Sequence, residues 1–137
     1  MFHYSGKSYL ACALGQHACT QGHKTLYLNM NKFIEKITIA KLDGSYLRVL
    51  AQLEKVSLLI LDDFGLAPLD ITMKLALLQI IEDRFEKKSF IIASQLPVSS
   101  WHAYINDDSI SDALLDRMTA NSHRIELQGN SLRGKKL

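Results

Sequence analysis

Apolar positions along the chain switch repeatedly between helical and strand-like spacing. From Ser8 to Gln21, Leu10, Leu14 and Ala18 recur every fourth residue with Ala11, Cys12 and Ala13 between them, which predicts a helix stopped at Gly22. Thr25-Leu26-Tyr27-Leu28-Asn29-Met30 is a short run of strand-forming residues. Lys32 to Leu42 and Ser45 to Leu53 carry helical periodicity and are separated by the turn dipeptide Asp43-Gly44. Leu58-Leu59-Ile60-Leu61 is apolar without alternation and ends in Asp62-Asp63, the pattern of a strand covered on both faces. Beyond the turn at Gly65 and Pro68, Asp70 is placed to cap a helix running to about Lys87. Its stripes are Ile71, Leu75 and Leu78 on one line and Leu77, Ile81 and Phe85 on the next.

Ser89 to Ser94 predicts a second buried strand, followed by a polar loop through Pro97, Trp101 and Asp107-Asp108. A helix over about Ser109 to Met118, a last strand Arg124-Ile125-Glu126-Leu127 and a polar basic tail from Gly129 complete the chain. Strands alternating with helices predict an α/β fold with a mostly parallel sheet. No repeat, low-complexity tract or linker interrupts it, so residues 1–137 are expected to form a single domain.

Composition narrows the class without naming a chemistry. Hydrophobic residues make up 47% of the chain and charged residues 22%, ordinary globular usage that argues against disorder. Sixteen Lys and Arg against 14 Asp and Glu leave a formal charge of +2, too weak a balance to diagnose a nucleic-acid or membrane partner. No apolar stretch approaches the roughly 18 residues that span a bilayer. The opening Met1-Phe2-His3-Tyr4-Ser5-Gly6-Lys7 lacks the pattern of a signal peptide. Cys12 and Cys19 fall in one predicted helix, roughly 10 Å apart along its axis and out of disulfide reach. A reducing cytoplasm is the expected compartment.

Two short segments carry candidate chemistry. Ser5-Gly6-Lys7-Ser8 stands directly before the first helix and has the form of the end of a Walker A phosphate-binding loop. There, helix N–H groups face phosphate, the ammonium reaches the β- and γ-phosphates, and the hydroxyl binds Mg²⁺. Gly-Lys-Ser/Thr alone arises by chance in roughly one chain in fifteen of this length, and an exposed helix start is its plain alternative. The glycine that completes the motif is absent, since Met1 stands in its place. The second segment, Leu58 to Asp63, has the form of a Walker B strand, whose carboxyl end opens into the ligand crevice of an α/β sheet. Asp62 would there order the Mg²⁺ shell and Asp63 polarise an attacking water. A solvated Asp-Asp turn is the alternative, and the two segments together favour a nucleotide site over either alone.

Further candidates are weaker. Ser94 and Gln95 close the next strand, where a polar side chain would contact a γ-phosphate or its water. Arg117 lies near a helix end, where a guanidinium would either reach a neighbouring subunit's phosphate or pair with Asp112 or Asp116. The histidines (3, 17, 23, 102 and 123) and the cysteines show no metal-ligand spacing. Trp101 and Tyr104 are read as packing groups rather than base-stacking ones, and Arg133, Lys135 and Lys136 as a solvated tail.

Longer segments resemble a known family. Leu58 to Leu66, Ile92-Ala93-Ser94-Gln95-Leu96-Pro97-Val98, Trp101-His102, Leu114-Leu115-Asp116-Arg117 and Ala120 to Ile125 are similar, in that order, to the IstB-like ATP-binding proteins. These are insertion-sequence transposition helpers of the AAA+ class, related to the DnaC helicase loaders. The resemblance implies a P-loop NTPase fold of three layers and an ATPase using ATP and Mg²⁺. It also implies a protein that forms homo-oligomers, assembles on DNA and directs a transposase. By position it implies Walker A roles for Ser5, Gly6, Lys7 and Ser8, Walker B roles for Asp62 and Asp63, and metal contacts at Ser8 and Asp62. Ser94 or Gln95 would be sensor 1, and Arg117 an arginine finger acting in trans. A DnaC-like replicative helicase loader and a non-catalytic interaction remnant are the alternatives. Two departures stand out: Asp63 replaces the glutamate usual in AAA+ proteins, and Met1 to Tyr4 stand where a strand and a glycine-rich loop belong. The expectation is a sheet with an interior gap of roughly 10 Å between the Ser89–Ser94 strand and the last one, and little ATPase activity from this chain alone.

Overall fold

The computed structural model describes residues 7–120 and 122–126. Met1 to Gly6, Asn121 and the tail from Leu127 lie outside them, and with them Ser5 and Gly6. The elements run α1 (Lys7–Thr20), β1 (Thr25–Asn29), α2 (Met30–Asp43), α3 (Tyr46–Lys55), β2 (Leu58–Phe64), α4 (Ile71–Arg84), β3 (Ser89–Ser94), α5 (Trp101–Ile105) and α6 (Asp108–Thr119). A 3₁₀ turn at Val98–Ser100 leads into α5. The described strands form one parallel sheet in the order β1-β2-β3, with Asn29 opposite Asp62 and Leu58 opposite Ser89.

Side-chain alternation along β2 divides the interior in two. Leu59 and Leu61 point into the large core with Phe33 and Ile37 of α2, Leu53 of α3 and Leu77 and Ile81 of α4. Leu58 and Ile60 point the opposite way, against Ala11 of α1 and Ala93 of β3. Helices thus cover both faces, and the fold is the three-layered α/β architecture expected. The α1 layer is thin and built from small residues. Ser8, Ala11 and Gly15 are its buried positions, and a Cβ on Gly15 would come within 2.7 Å of Ile60 Cδ1. That close approach explains a glycine inside a helix, where it costs about 1 kcal/mol relative to alanine.

Caps fix the element starts. Asn29 accepts from the Lys32 amide at 2.8 Å, Asp70 from Met73 at 2.9 Å and Asp107 from Ile110 at 3.1 Å, each holding an otherwise unpaired helix N–H. Gly44, at φ +77°, ends α2.

Four expectations are corrected. β3 is an edge strand among the described residues, and only Ala93 in it is buried. Residues 122–126 form no strand; they line a groove of about 800 Å³ together with β3, Leu10 and Leu14 of α1, and Arg117. In α4 the core face is Met73, Ala76, Leu77, Ile80, Ile81 and Arg84, while Ile71 and Leu75 face solvent. The segment after Pro97 is not an irregular loop but carries α5, because Trp101 and Tyr104 pack edge-on against Phe64 at centroid distances of 4.9 and 5.2 Å. Trp101 Nε1 also donates to the Leu96 carbonyl at 3.1 Å, and the Tyr104 hydroxyl donates to that of Ala67. Packing, not base stacking, occupies both rings.

Candidate nucleotide site at the carboxyl ends of the strands

In a parallel sheet every strand ends on the same side, and the first turn of α1 lies at that end here. Two sequence fragments far apart in the chain therefore meet. The Ser8 hydroxyl donates to Asp62 Oδ2 at 2.5 Å, and both residues are buried, Asp62 being 1% exposed. A second hydroxyl, that of Tyr27 on β1, donates to the same Oδ2. The Asp63 amide donates to Asp62 Oδ1 at 2.8 Å. Lys7 Nζ donates to the Ser94 carbonyl at 2.9 Å, linking the start of α1 to the end of β3.

The backbone is irregular where this chemistry sits. β2 and β3 shift register between Leu61 and Phe64, and Asp63 has φ +60°. Left-handed conformation in a non-glycine residue costs of order 1 kcal/mol or more and is tolerated best by Asp and Asn. Gly65 follows at φ +98°, with Leu96 packed where its side chain would be. The irregularity re-aims the strand after Asp62, so that Phe64 enters the large core.

Lys7, Ser8, Asp62 and the Ser94 backbone are thus brought together. The Ser94 hydroxyl is used structurally, donating to the Phe64 carbonyl and accepting from the Leu96 amide at 3.0 Å. Gln95 is an exposed residue at the same strand end. Arg117 makes its contacts with α4 and its own helix. Its Nε lies 3.5 Å from Glu82, and Nη1 lies 3.8 Å from Asp116 and donates to the Ala113 carbonyl at 3.3 Å. Asp112 faces His102 instead, at 3.5 Å.

Tyr27 is the site residue the sequence reading missed. In a strand it reads as a packing residue, and only the parallel register, with β1 alongside β2, carries its hydroxyl to Asp62. Burial, followed by the hydrogen bond to Asp62, holds its phenol above the ordinary value.

The donor set fits a hard divalent cation. A serine hydroxyl and a buried carboxylate oxygen in contact are oxygen ligands of the kind Mg²⁺ takes, with phosphate and water supplying the rest. An ammonium stands close by on the same helix turn.

Comparison with known proteins identifies the family and the fold. The family model for IstB-like ATP binding proteins matches residues 4–137. The insertion sequence ATP-binding protein y4pL of Sinorhizobium fredii (strain NBRC 101917 / NGR234) is 48% identical over 128 residues, which are 93% of this chain and 52% of that protein. The insertion sequence IS21 ATP-binding protein of Pseudomonas aeruginosa is 32% identical over 130 residues, 95% of this chain and 49% of that one. Among solved structures, AMPPCP-bound DnaA from Aquifex aeolicus superimposes with a TM-score of 0.74 at 22% identity, covering 87% of this chain and 36% of that one. The DnaC helicase loader does so with a TM-score of 0.69 at 18% identity, covering 85% and 71%. At such identities the structural likeness establishes the fold alone, the α/β fold these DnaA and DnaC structures share with this chain. The chain spans about half the length of the curated relatives it matches. With a family match over nearly all its residues and insertion-sequence relatives of this similarity, the chain belongs to the IstB-like ATP-binding protein family.

Proposed function

We propose that this chain is the nucleotide-binding part of an insertion-sequence transposition helper, binding ATP with Mg²⁺ at the carboxyl ends of its strands. The observation that carries the reading is the Ser8–Asp62 contact at 2.5 Å, which joins residues 54 positions apart in a buried setting. Ser8 and Asp62 would hold the Mg²⁺. Bound Mg²⁺ neutralises charge on the phosphate oxygens. Lys7, on its flexible four-carbon stem, would exchange the Ser94 carbonyl for the β- and γ-phosphates. Asp63 would orient the attacking water, and the γ-phosphate end would be met by Gln95, or by Ser94 if its hydroxyl gave up the Phe64 carbonyl.

In this reading Arg117 serves a second copy of the chain, exchanging its pair with Glu82 for a phosphate across a subunit interface. The protein assembles as a homo-oligomer on DNA and directs a transposase. Support comes from the family membership and from relatives named as insertion sequence ATP-binding proteins. Binding of a fluorescent ATP analogue with and without Mg²⁺ tests the site. Lys7→Ala is expected to weaken both by about tenfold or more, whereas Asp62→Asn should weaken the Mg²⁺-dependent binding more than the metal-free binding. Unchanged affinity in Lys7→Ala overturns the reading.

A further inference from the structure

The carboxylate at the centre of the site is already occupied. A carboxylate offers about four lone-pair positions, two on each oxygen. On Asp62, Oδ2 accepts from both Ser8 and Tyr27, and Oδ1 accepts from the Asp63 amide. Any cation or cation-bound water that takes Oδ2 must displace one of those two hydroxyls.

The two are not equally free to leave. Ser8 is buried in the first turn of α1, and its oxygen is itself a metal ligand of the right kind, so it can stay and share the ion. Tyr27 stands on β1, which pairs only with β2 among the described strands, and the residue is 41% exposed. Its ring takes no part in either buried cluster. Rotation about its side-chain torsions carries the hydroxyl into water, where its hydrogen bond is replaced, without repacking the core.

Resting on the nucleotide-site reading, we propose that Tyr27 is a displaceable latch: its hydroxyl fills the Asp62 Oδ2 position in the metal-free site and is expelled when Mg²⁺ enters with nucleotide. The latch gives a buried carboxylate oxygen a second donor beside Ser8. It does so at the expense of metal affinity, because loading must break one charge-assisted hydrogen bond. It tunes the Mg²⁺-dependent part of nucleotide binding and leaves the metal-free part alone.

Tyr27→Phe removes the hydroxyl and keeps the ring. Titration with a fluorescent ATP analogue should show about tenfold tighter binding than wild type in Mg²⁺, the worth of one hydrogen bond to a charged group. In EDTA the two should agree within about twofold. Tyr27→Leu, which removes the ring too, should show the same gain. In the wild type, the Tyr27 ring resonances, assigned by their loss in Tyr27→Phe, should shift with Mg²⁺–ATP and not with ATP in EDTA. Wild type that binds Mg²⁺–ATP no more weakly than Tyr27→Phe overturns the latch and leaves the nucleotide site standing. Weaker Mg²⁺-dependent binding by the variant also overturns it, making Tyr27 a support for the carboxylate. If both variants fail to fold, the hydroxyl is structural and the latch falls. Absence of saturable Mg²⁺–ATP binding in wild type and variants alike removes the latch and the site reading together.

Discussion

The two ends of β2 hold charge in opposite ways. Beside its amino end, the Arg84 guanidinium is fully buried and, among the described residues, donates only to backbone carbonyls: those of Leu53 and Val56 at 2.8 Å, Glu54 and Ser57 at 3.2 Å, and Ser89. One side chain from the end of α4 thereby ties together the end of α3, the entry to β2 and the first residue of β3. Burial pushes its pKa down, with Glu54 acting in the opposite direction, and among the described residues its Nε has no hydrogen-bond partner. At the carboxyl end, Asp62 is just as buried, but besides the Asp63 amide on Oδ1 its carboxylate accepts on Oδ2 from two hydroxyls on rotatable bonds. A charge locked by fixed carbonyls stabilises; a charge held by rotatable groups can exchange partners. The molecule places rigidity at one end of the sheet and exchangeable contacts at the other.

The sharpest way to break this contrast is Arg84→Ala. It leaves up to five carbonyls without their donor and opens a cavity, at a cost of about 3–5 kcal/mol in unfolding free energy. Urea unfolding should show that loss. Arg84→Lys should recover less than half of it, since an ammonium offers donors from one point rather than along a planar fork. Nucleotide affinity of whatever protein remains folded should stay at the wild-type level. A variant of wild-type stability would refute the idea that this end carries the rigidity.

Gly65→Ala probes the other end, with a smaller expected effect. Its φ of +98° is unfavourable for alanine, and a Cβ would come within 2.9 Å of Leu96 Cγ. The cost should be about 1–3 kcal/mol. Because Gly65 forms the turn after Asp62 and Asp63, Mg²⁺-dependent nucleotide binding should weaken as well, unlike in Arg84→Ala. Loss of stability with intact binding would mean that the turn does not set the carboxylate's position.

Why some of this was legible in sequence and some was not follows from the same contrast. β2 and the cap at Asp70 could be read because a doubly covered strand and a capped helix start each leave a local signature. Lys7, Ser8 and Asp62 could be paired because strand ends in a parallel sheet converge. Arg84 could not be found, since an arginine at a helix end reads as a solvated residue and nothing local says that three elements will close over it. In α4 the Ile71 and Leu75 stripe misled for a related reason. The core face was set by where Arg84, Ile80 and Met73 had to point, and not by which residues are most apolar. Tyr27 escaped because its role depends on register between strands. α5 escaped because Trp101 and Tyr104 need Phe64, from a distant strand, before their helix has anything to pack on.

The smallest expected effect comes from a second Ser–Asp pair, which has the same chemistry as Ser8–Asp62 but lies in water. In the turn between α2 and α3, Asp43 Oδ1 accepts from both the amide and the hydroxyl of Ser45, and the carboxylate is fully exposed. The Ser45 hydroxyl, then its amide, hold the Asp43 pKa below its ordinary value of 3.8. A carboxyl group depressed in the folded state contributes stability that is fully present above the unfolded value and is lost as pH falls through the folded one. Ser45→Ala should therefore be slightly less stable than wild type near neutral pH, with the gap closing below about pH 4 as Asp43 takes its proton. Salt should shrink that gap further, because solvent and ions screen an exposed pair. Paired urea titrations across the acid limb would check this, and a gap that widened towards low pH would rule out the carboxylate as its source. If Ser45→Ala instead cost as much as Gly65→Ala, exposure would not be what separates the two Ser–Asp pairs. Burial at the strand ends would then lose its standing as the reason that the Ser8–Asp62 pair, and not its exposed counterpart, forms a site.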